Sequence, residues 1–322
     1  MTQLRVVALL VVFAVVVASW VLTCVAWQAD RVIAGVAPLD PRRFDAFMLV
    51  TVGTGGAHAN PRRLGPATAV ARGERIALVD AGRGVSEALR GAKIPASQPE
   101  RVYLTNLLPE NTVGLDDLLA SGWLDGRSAP LEVVGPPGTA ALASALEAAH
   151  AAGLEALAAA QELPREGARL RAREVAGGFE EEWGGIVTRA AEIPGGPIPA
   201  LGWRFEADGR SAVVSGTGWA PDALLALARS ADVLVHEAVY VPSAEVAAQA
   251  ELEVTPEQLA REARLHTTID AVGALAQRAG VSTLVLVRLR PPPVLALQLT
   301  SQIDDSFAGR IVVADDGDEI RP

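Results

Sequence analysis

From Phe47 onward, short runs of β-branched residues alternate with stretches rich in Ala and Leu. Strand-like runs that alternate with helical stretches favour a layered α/β domain over a helical bundle or an all-β sandwich. The longest predicted helix covers Gly138–Leu163, where the strong helix formers Ala, Leu and Glu predominate. A chain of 322 residues is long enough to bury a large core. We therefore expect one folded α/β domain over residues 46–322.

The N-terminal segment has a different character, because Val6–Ala26 contains no charged side chain. With a rise of about 1.5 Å per residue, a helix of this length spans a hydrocarbon core of roughly 30 Å. A cleaved signal peptide is the alternative, but the apolar run is longer than usual for one and no A-x-A-like cleavage site follows it. We predict a membrane anchor over residues 1–28 and a linker over residues 29–45.

The side of the membrane is harder to predict, because Arg5 precedes the apolar run and Arg31 follows it. The positive-inside rule therefore gives no clear orientation. Short N-terminal anchors most often leave the N-terminus inside, so we expect a single-pass protein of a bacterial inner membrane with a periplasmic domain.

Composition excludes several classes of function. With 28 Lys+Arg against 38 Asp+Glu, the formal net charge is −10, which argues against a nucleic-acid partner. A single cysteine excludes a disulfide framework within the chain and a cysteine-based zinc ribbon. The chain contains only four histidines, which limits any site built from several of them.

Several motifs, taken in order, resemble the metallo-β-lactamase-fold hydrolases, in particular the branch around ribonuclease Z and the arylsulfatase-like enzymes. They are GTGGAHANPRRLGPATAV with LVDAG at Leu78–Gly82, the block RVYLTNLLPENTVGLDD, then WRFEADGRSAVVSG, ADVLVHEA and HTTIDAVGALAQRAGVSTLVLV. Each is a weak signal alone, but their common order and spacing make a strong one. The resemblance implies an αββα sandwich, here preceded by one transmembrane helix.

The same resemblance implies two zinc ions, but the ligand positions differ from the family pattern. The family's H-x-H-x-D-H motif aligns with the segment after Thr105, and three further ligands align with later turns. The positions concerned are Asn106, Leu108, Glu110 and Asn111, followed by Gly195, Thr217 and Arg288. Leu and Gly offer no donor atom, Asn is a poor zinc ligand, and Arg carries the wrong charge. We expect a degenerate site without zinc or any other cofactor.

Besides Glu110, the chain keeps three acidic or histidine residues at positions of the family's motifs. His236 and Glu237 resemble the family's H-E-A motif, and His266 resembles its H-[ST]-T motif. In active relatives these positions assist proton transfer, and a Glu–His pair can act as a general acid or base. The alternative interpretation is a hydrogen-bonded brace beside a buried strand end. Ser215 as a nucleophile is a remote option, since no G-x-S-x-G elbow surrounds it.

The sequence thus leads to two functional hypotheses. The first is a non-catalytic, membrane-anchored accessory subunit that contacts the lipid bilayer and integral membrane partners, with Trp183 or Trp219 as possible anchors on its domain. The second is a metal-poor hydrolase of phosphodiesters or esters that uses Glu110, Glu237 and His266. A third, weaker possibility is a cleft in which Arg288 and Arg290 hold an anion. The expectation at this point is the first, a protein that is not an enzyme.

Overall fold

The structure is a computed structural model that describes residues 2–58, 60–216, 221–249, 251, 253–290 and 296–322. The chain divides into two compact units, Met1–Leu39 and Asp40–Pro322. Two residues considered above, Thr217 and Trp219, lie outside the described part of the chain.

The first unit is helix α1 (Thr2–Val36). Its Val11–Ala29 segment is long and apolar enough to cross a membrane, and nearly all of its side chains are exposed. A signal sequence can have the same length and apolar composition, so these two properties fit a signal sequence as well as an anchor. The helix continues to Val36, into the segment 29–45 for which the sequence indicates a linker, and the first strand begins at Phe44.

The domain contains two sheets of seven strands each. In the first sheet the order is β14-β1-β2-β3-β4-β5-β6, with antiparallel pairing from β14 to β3 and parallel pairing from β3 to β6. Its strands are β1 (Phe44–Gly53), β2 (Ala67–Gly73), β3 (Arg75–Val79), β4 (Arg101–Tyr103), β5 (Leu131–Gly135), β6 (Leu170–Glu174) and β14 (Asp318–Ile320).

The second sheet has the order β13-β12-β11-β10-β9-β8-β7, antiparallel from β7 to β10 and parallel from β10 to β13. Its strands are β7 (Glu180–Trp183), β8 (Ile186–Glu192), β9 (Leu201–Ala207), β10 (Arg210–Val214), β11 (Val233–Val239), β12 (Thr283–Arg290) and β13 (Arg310–Val313). Each sheet therefore joins an antiparallel half to a parallel half.

The domain also contains helices, several of which cover the outer faces of the two sheets. They are α2 (Val85–Gly91), α3 (Pro109–Thr112), α4 (Leu115–Leu124), α5 (Thr139–Gln161), α6 (Pro221–Ala228), α7 (Ala244–Gln249), α8 (Pro256–Leu265), α9 (Ile269–Ala279) and α10 (Ala296–Asp304), with a 3-10 turn at Arg165–Ala168. Side chains of both sheets, such as Tyr103 and Trp203, form a central apolar layer between the sheets. Two further apolar layers lie between each sheet and the helices that pack on it. The predicted αββα sandwich, preceded by one apolar helix, is confirmed.

Trp183 corrects one expectation, since it is not an exposed anchor for a partner. It ends strand β7 and is only 8% exposed, with its indole N–H donating to Glu100 (3.1 Å) and the guanidinium of Arg101 over its ring. The run of glutamates before it hides the strand in the sequence, because these side chains pair with arginines of both sheets: Glu180 with Arg189 on β8, and Glu181 with Arg101 on β4.

The two sheets meet closely at one end of the parallel strands. The Arg288 amide on β12 donates to the carbonyl of Thr54, just after β1 (2.7 Å). The Leu201 amide, at the start of β9, donates to the carbonyl of Thr105, just after β4 (2.7 Å). The loops that follow β1 and β4 therefore lie against β12 and the start of β9, at strand ends where α/β proteins commonly place their sites.

Candidate active site

A cavity of about 200 Å³ opens at this junction of the two sheets. The loop after β1 forms one wall and the ends of β11 and β12 form the other. Its lining includes Gly55, Gly56, His58, Arg63, Glu110, Glu237, Val239, His266, Arg288 and Arg290. Three of the residues singled out from the sequence as catalytic candidates, Glu110, Glu237 and His266, thus line one cavity.

The guanidinium of Arg288 occupies the floor of this site. It donates from Nη2 to Asp80 Oδ2 (2.5 Å) and from Nη1 to Asn111 Oδ1 (2.6 Å), and Glu110 Oε1 lies 3.7 Å from Nη1. The side chains of Arg288 and Asp80 are 5% and 1% exposed. A fixed positive charge therefore lies among three oxygen-bearing side chains from the segments that follow β3 and β4.

Asp80 follows β3 in the left-handed region (φ 64°) and receives two further hydrogen bonds. Thr105 donates to it from its amide (2.8 Å) and from its hydroxyl (2.8 Å). Burial raises the pKa of Asp80, whereas Arg288 and Thr105 act in the opposite direction. Asp80 and Thr105 did not emerge from the sequence as site residues, although an Asp directly after a buried strand, in LVDAG, is a usable signal.

Hydrogen bonds between amide groups within the segment after β4 hold that segment in place. Asn106 Oδ1 accepts from the Leu108 amide (2.9 Å) and from Asn111 Nδ2 (2.7 Å). Both asparagines are buried, at 2% and 0% exposure. Gly195 lies in an exposed turn with φ 100° and brings no side chain to the site. Asn106 and Asn111, at positions aligned with zinc ligands, therefore form hydrogen bonds and offer no imidazole nitrogen.

Glu237 and His266 form a directly bonded pair. His266 Nδ1 lies 3.0 Å from Glu237 Oε2 and 3.1 Å from Oε1. The carboxylate is buried, with 2% of its side chain exposed, while 20% of the imidazole is exposed. This contact assigns Nδ1 to the carboxylate, so Nε2 is the nitrogen that faces away from it. A carboxylate behind an imidazole orients the ring and stabilises its protonated form.

His236 does not belong to this pair, although it precedes Glu237 in the sequence. Consecutive strand residues point to opposite faces of a sheet. His236 is 1% exposed; its Nε2 lies 2.7 Å from Thr267 Oγ1, and its Nδ1 contacts Ser215 Oγ. Burial lowers the pKa of His236 to about 4, so this imidazole is neutral at pH 7. His236 is therefore a buried brace and not a catalytic candidate, and Ser215 bonds to its ring.

In the part of the chain that the structure describes, no three or more His, Cys, Asp or Glu side chains are placed together to hold a metal ion. The position aligned with the last zinc-binding histidine instead presents the guanidinium of Arg288 to the centre of the site. A cation held this close repels a second cation.

Comparison with known proteins finds relatives that are named ribonuclease Z. It is 30% identical over 275 residues to the ribonuclease Z of Mycobacterium bovis, which covers 83% of this chain and 95% of that protein. It is 33% identical over 245 residues to a ribonuclease Z of a Mycobacterium species, strain KMS, covering 75% and 83%. The chain belongs to the ribonuclease Z family. No family model matches it.

Solved structures give the same fold for this ribonuclease Z family member. The metallo-β-lactamase fold protein YhfI from Bacillus subtilis superposes with a TM-score of 0.66 at 17% identity, covering 86% of this chain and 99% of that one. The short form of human tRNase Z gives a TM-score of 0.59 at 18% identity, covering 85% and 98%. At these identities the likeness concerns the fold.

The prediction of a non-catalytic membrane scaffold is therefore wrong. Relatives at 30–33% identity are named as ribonucleases, which points to a catalytic hydrolase. That prediction took the altered zinc-ligand positions to mean that every catalytic group is lost. The structure shows that the Glu237–His266 pair, Glu110 and a cavity around them remain together.

Proposed function

We propose that this ribonuclease Z family member is a hydrolase of phosphodiesters whose proton transfers are carried out by Glu110, Glu237 and His266 without a metal ion. The observation that carries the proposal is the Glu237–His266 pair, which lines the same cavity as Glu110 and Arg288. Family membership supports hydrolysis as the reaction class, and the cavity supplies the groups that such a reaction needs.

The residues at the zinc positions do not fit zinc. Zinc sites use three or four ligands drawn from imidazole, thiolate and carboxylate, at about 2.0–2.3 Å. Of the aligned residues in the described chain, only Glu110 is of that kind, and it lies 3.7 Å from the Arg288 guanidinium. Asp80, the nearest other carboxylate to that cation, is committed to Arg288 and Thr105. A divalent ion here would have to displace a buried, hydrogen-bonded arginine.

Arg288 replaces part of what a metal ion supplies to phosphate chemistry. A guanidinium keeps its positive charge and donates paired N–H groups to phosphate oxygens. Arg63 and Arg290 line the same cavity, and Arg63 is itself held by an ion pair with Asp315 (2.6 Å). Asp80 and Asn111 fix the orientation of Arg288, and this preorganisation lets its charge act on the phosphoryl group without rearrangement.

Glu110 and His266 divide the proton transfers. Glu110 accepts a proton from the attacking water as the new P–O bond forms. Protonated His266 donates from Nε2 to the leaving oxygen as the other P–O bond breaks, and buried Glu237 stabilises the imidazolium beforehand. The products are an alcohol and a phosphomonoester, and the proton gained by Glu110 returns to His266 through solvent, which completes the cycle.

The N-terminal helix supports a location for this activity. We propose that α1 is retained as a single-pass anchor in the inner membrane, with lipid or helices of integral membrane proteins around it and the hydrolase domain on the periplasmic side. The support is the Val11–Ala29 segment, which is long and apolar enough to span a hydrocarbon core.

The test of the activity uses the full-length chain in lipid nanodiscs after treatment with a chelator. We expect slow release of nitrophenol from bis(4-nitrophenyl) phosphate and little from 4-nitrophenyl acetate. His266→Ala should remove the phosphodiesterase activity, whereas His58→Ala, which changes an exposed histidine of the same cavity, should retain it. Equal activity of the two variants, or a preference for the acetate, would contradict the proposal.

A further inference from the structure

A second, apolar cavity adjoins the one just described. It encloses about 110 Å³ and shares two lining residues, Glu110 and His266, with the polar cavity. Apart from Asn106 and these two, its walls are backbone and hydrocarbon: Leu108, Ile193, Pro197, Ile198, Ala200 and Leu265. The acid–base pair of the proposed mechanism thus stands at the boundary between a polar and an apolar compartment.

Leu108 accounts for part of this character. It occupies a position where the resemblance implies a zinc-binding histidine, and its side chain faces the apolar cavity. The buried Ile193 and the half-buried Ile198 lie on either side of the exposed turn at Gly195–Pro197, which forms the mouth of the cavity. A metal-ligand position has thus become part of an apolar wall.

Building on the proposed function, we propose that this apolar cavity is the leaving-group subsite, and that it accepts a compact apolar alcohol or phenol instead of a nucleoside. The anionic phosphoryl group lies among Arg63, Arg288 and Arg290, and the leaving oxygen lies next to His266, the residue that both cavities share. From that oxygen, the rest of the leaving group extends into the apolar cavity.

The size and polarity of the apolar cavity define the class of leaving group that it accepts. An apolar cavity of roughly 150 Å³ holds a benzene ring, so about 110 Å³ with an open mouth suits one ring or a short branched alkyl chain. A nucleobase carries several hydrogen-bonding groups that lose water on entry, and unpaired polar groups are costly to bury. The walls formed by Leu108, Ile193 and Leu265 offer no side-chain partner for them.

The experiment measures binding separately from catalysis. Phenylphosphonate and methylphosphonate carry the same anionic group but differ in the apolar substituent, so calorimetric titration of the full-length chain in nanodiscs compares them directly. We expect phenylphosphonate to bind about tenfold more tightly or better. Ala200→Leu, which narrows the apolar cavity, should abolish that preference and leave methylphosphonate affinity unchanged. The matched control is Ala152→Leu, the same substitution at an exposed position of α5, which should have no effect.

Equal affinities of the two phosphonates, or tighter binding of uridine 5′-monophosphate than of phenylphosphonate, would overturn the subsite. If Ala200→Leu kept the preference for phenylphosphonate, the phenyl group would bind elsewhere, and this result would also overturn the subsite. Failure of the proposed hydrolysis is a separate result, because the titration needs no turnover. A protein that binds phenylphosphonate as expected but hydrolyses nothing keeps the subsite and loses the catalytic proposal.

Discussion

The guanidinium of Arg288 and the carboxylate of Asp80 form a buried ion pair between the two sheets, with 2.5 Å between Nη2 and Oδ2. Arg288 belongs to β12 of the second sheet, and Asp80 follows β3 of the first. Both residues adopt positive φ, at 53° and 64°, which non-glycine residues do at a cost. The surrounding structure therefore holds both side chains in a fixed arrangement at the floor of the cavity.

Removing one partner of this pair should destabilise the domain. Arg288→Met leaves Asp80 as a buried carboxylate without its cation, and breaking a buried pair in this way costs about 3–5 kcal/mol. Urea unfolding followed by tryptophan fluorescence measures the free energy of unfolding. The double variant Arg288→Met with Asp80→Leu should recover much of the loss. Arg310→Met, at an exposed strand position, is the control and should change little; a similar loss in that variant would contradict the argument.

His236 should make the domain less stable in mild acid. Its pKa is about 4 in the folded protein because of burial, against 6.5 when unfolded. Between these values the unfolded state binds the additional proton, so stability falls as the pH drops below 6.5 and levels off below about 4. The full difference amounts to about 3 kcal/mol.

The measurement for His236 is the free energy of unfolding from pH 7 to pH 4, compared between the wild-type protein and His236→Gln. The amide can still reach hydroxyl partners such as Ser215 and Thr267 but does not titrate. The wild-type curve should fall more steeply than that of the variant. Parallel curves would show that His236 does not govern this part of the profile.

Glu237→Gln should reduce phosphodiester hydrolysis while leaving the cavity intact. The amide carries no negative charge and can turn either its oxygen or its nitrogen towards Nδ1, so the His266 ring is held less firmly towards the leaving oxygen, and kcat/KM falls by roughly 100-fold. The diagnostic measurement compares kcat/KM with the free energy of unfolding in urea for Glu237→Gln and the wild-type protein. A drop in rate that comes with a large loss of stability would indicate a structural effect of the substitution.

The anchor proposal predicts that a charge in the middle of α1 weakens membrane association. Val16→Arg costs about 2.5–3.5 kcal/mol of insertion free energy at the centre of a bilayer. Gln28→Arg places the same charge at the end of the candidate span and should be tolerated. Alkaline carbonate extraction of membranes should release more of the first variant than of the second. Complete release of the wild-type chain, or its N-terminal cleavage, would contradict retention of the anchor.

Much of the fold could be predicted from the sequence, because the order of β-branched runs and helical stretches marks an α/β sandwich whatever the details of the strands. The long helix expected over Gly138–Leu163 is found at Thr139–Gln161. Strand β7 was not predicted, since three successive glutamates precede Trp183 and one of their arginine partners, Arg101, lies 80 residues earlier in the chain. Pairing between distant residues cannot be recognised from a local charge pattern.

The candidate site was only partly predictable. The contact of Glu237 with His266 spans two separate motifs, and the chain order placed His236 beside Glu237 although the strand geometry separates their side chains. The network of Asp80 with Thr105 was missed because each residue follows a different strand, and only the parallel pairing of β3 with β4 brings them together. The family resemblance located the cavity, but side-chain packing decides which residues face it.

The most direct test of the central claim, that Arg288 stands in place of a metal ion, is the metal dependence of phosphodiester hydrolysis. Full-length protein in nanodiscs is dialysed against chelator, its metal content is measured by mass spectrometry, and bis(4-nitrophenyl) phosphate is then supplied with and without added Zn²⁺ or Mn²⁺. We predict turnover by the metal-free protein at a rate that neither ion raises. Activity that disappears with the chelator and returns with stoichiometric zinc would contradict the account.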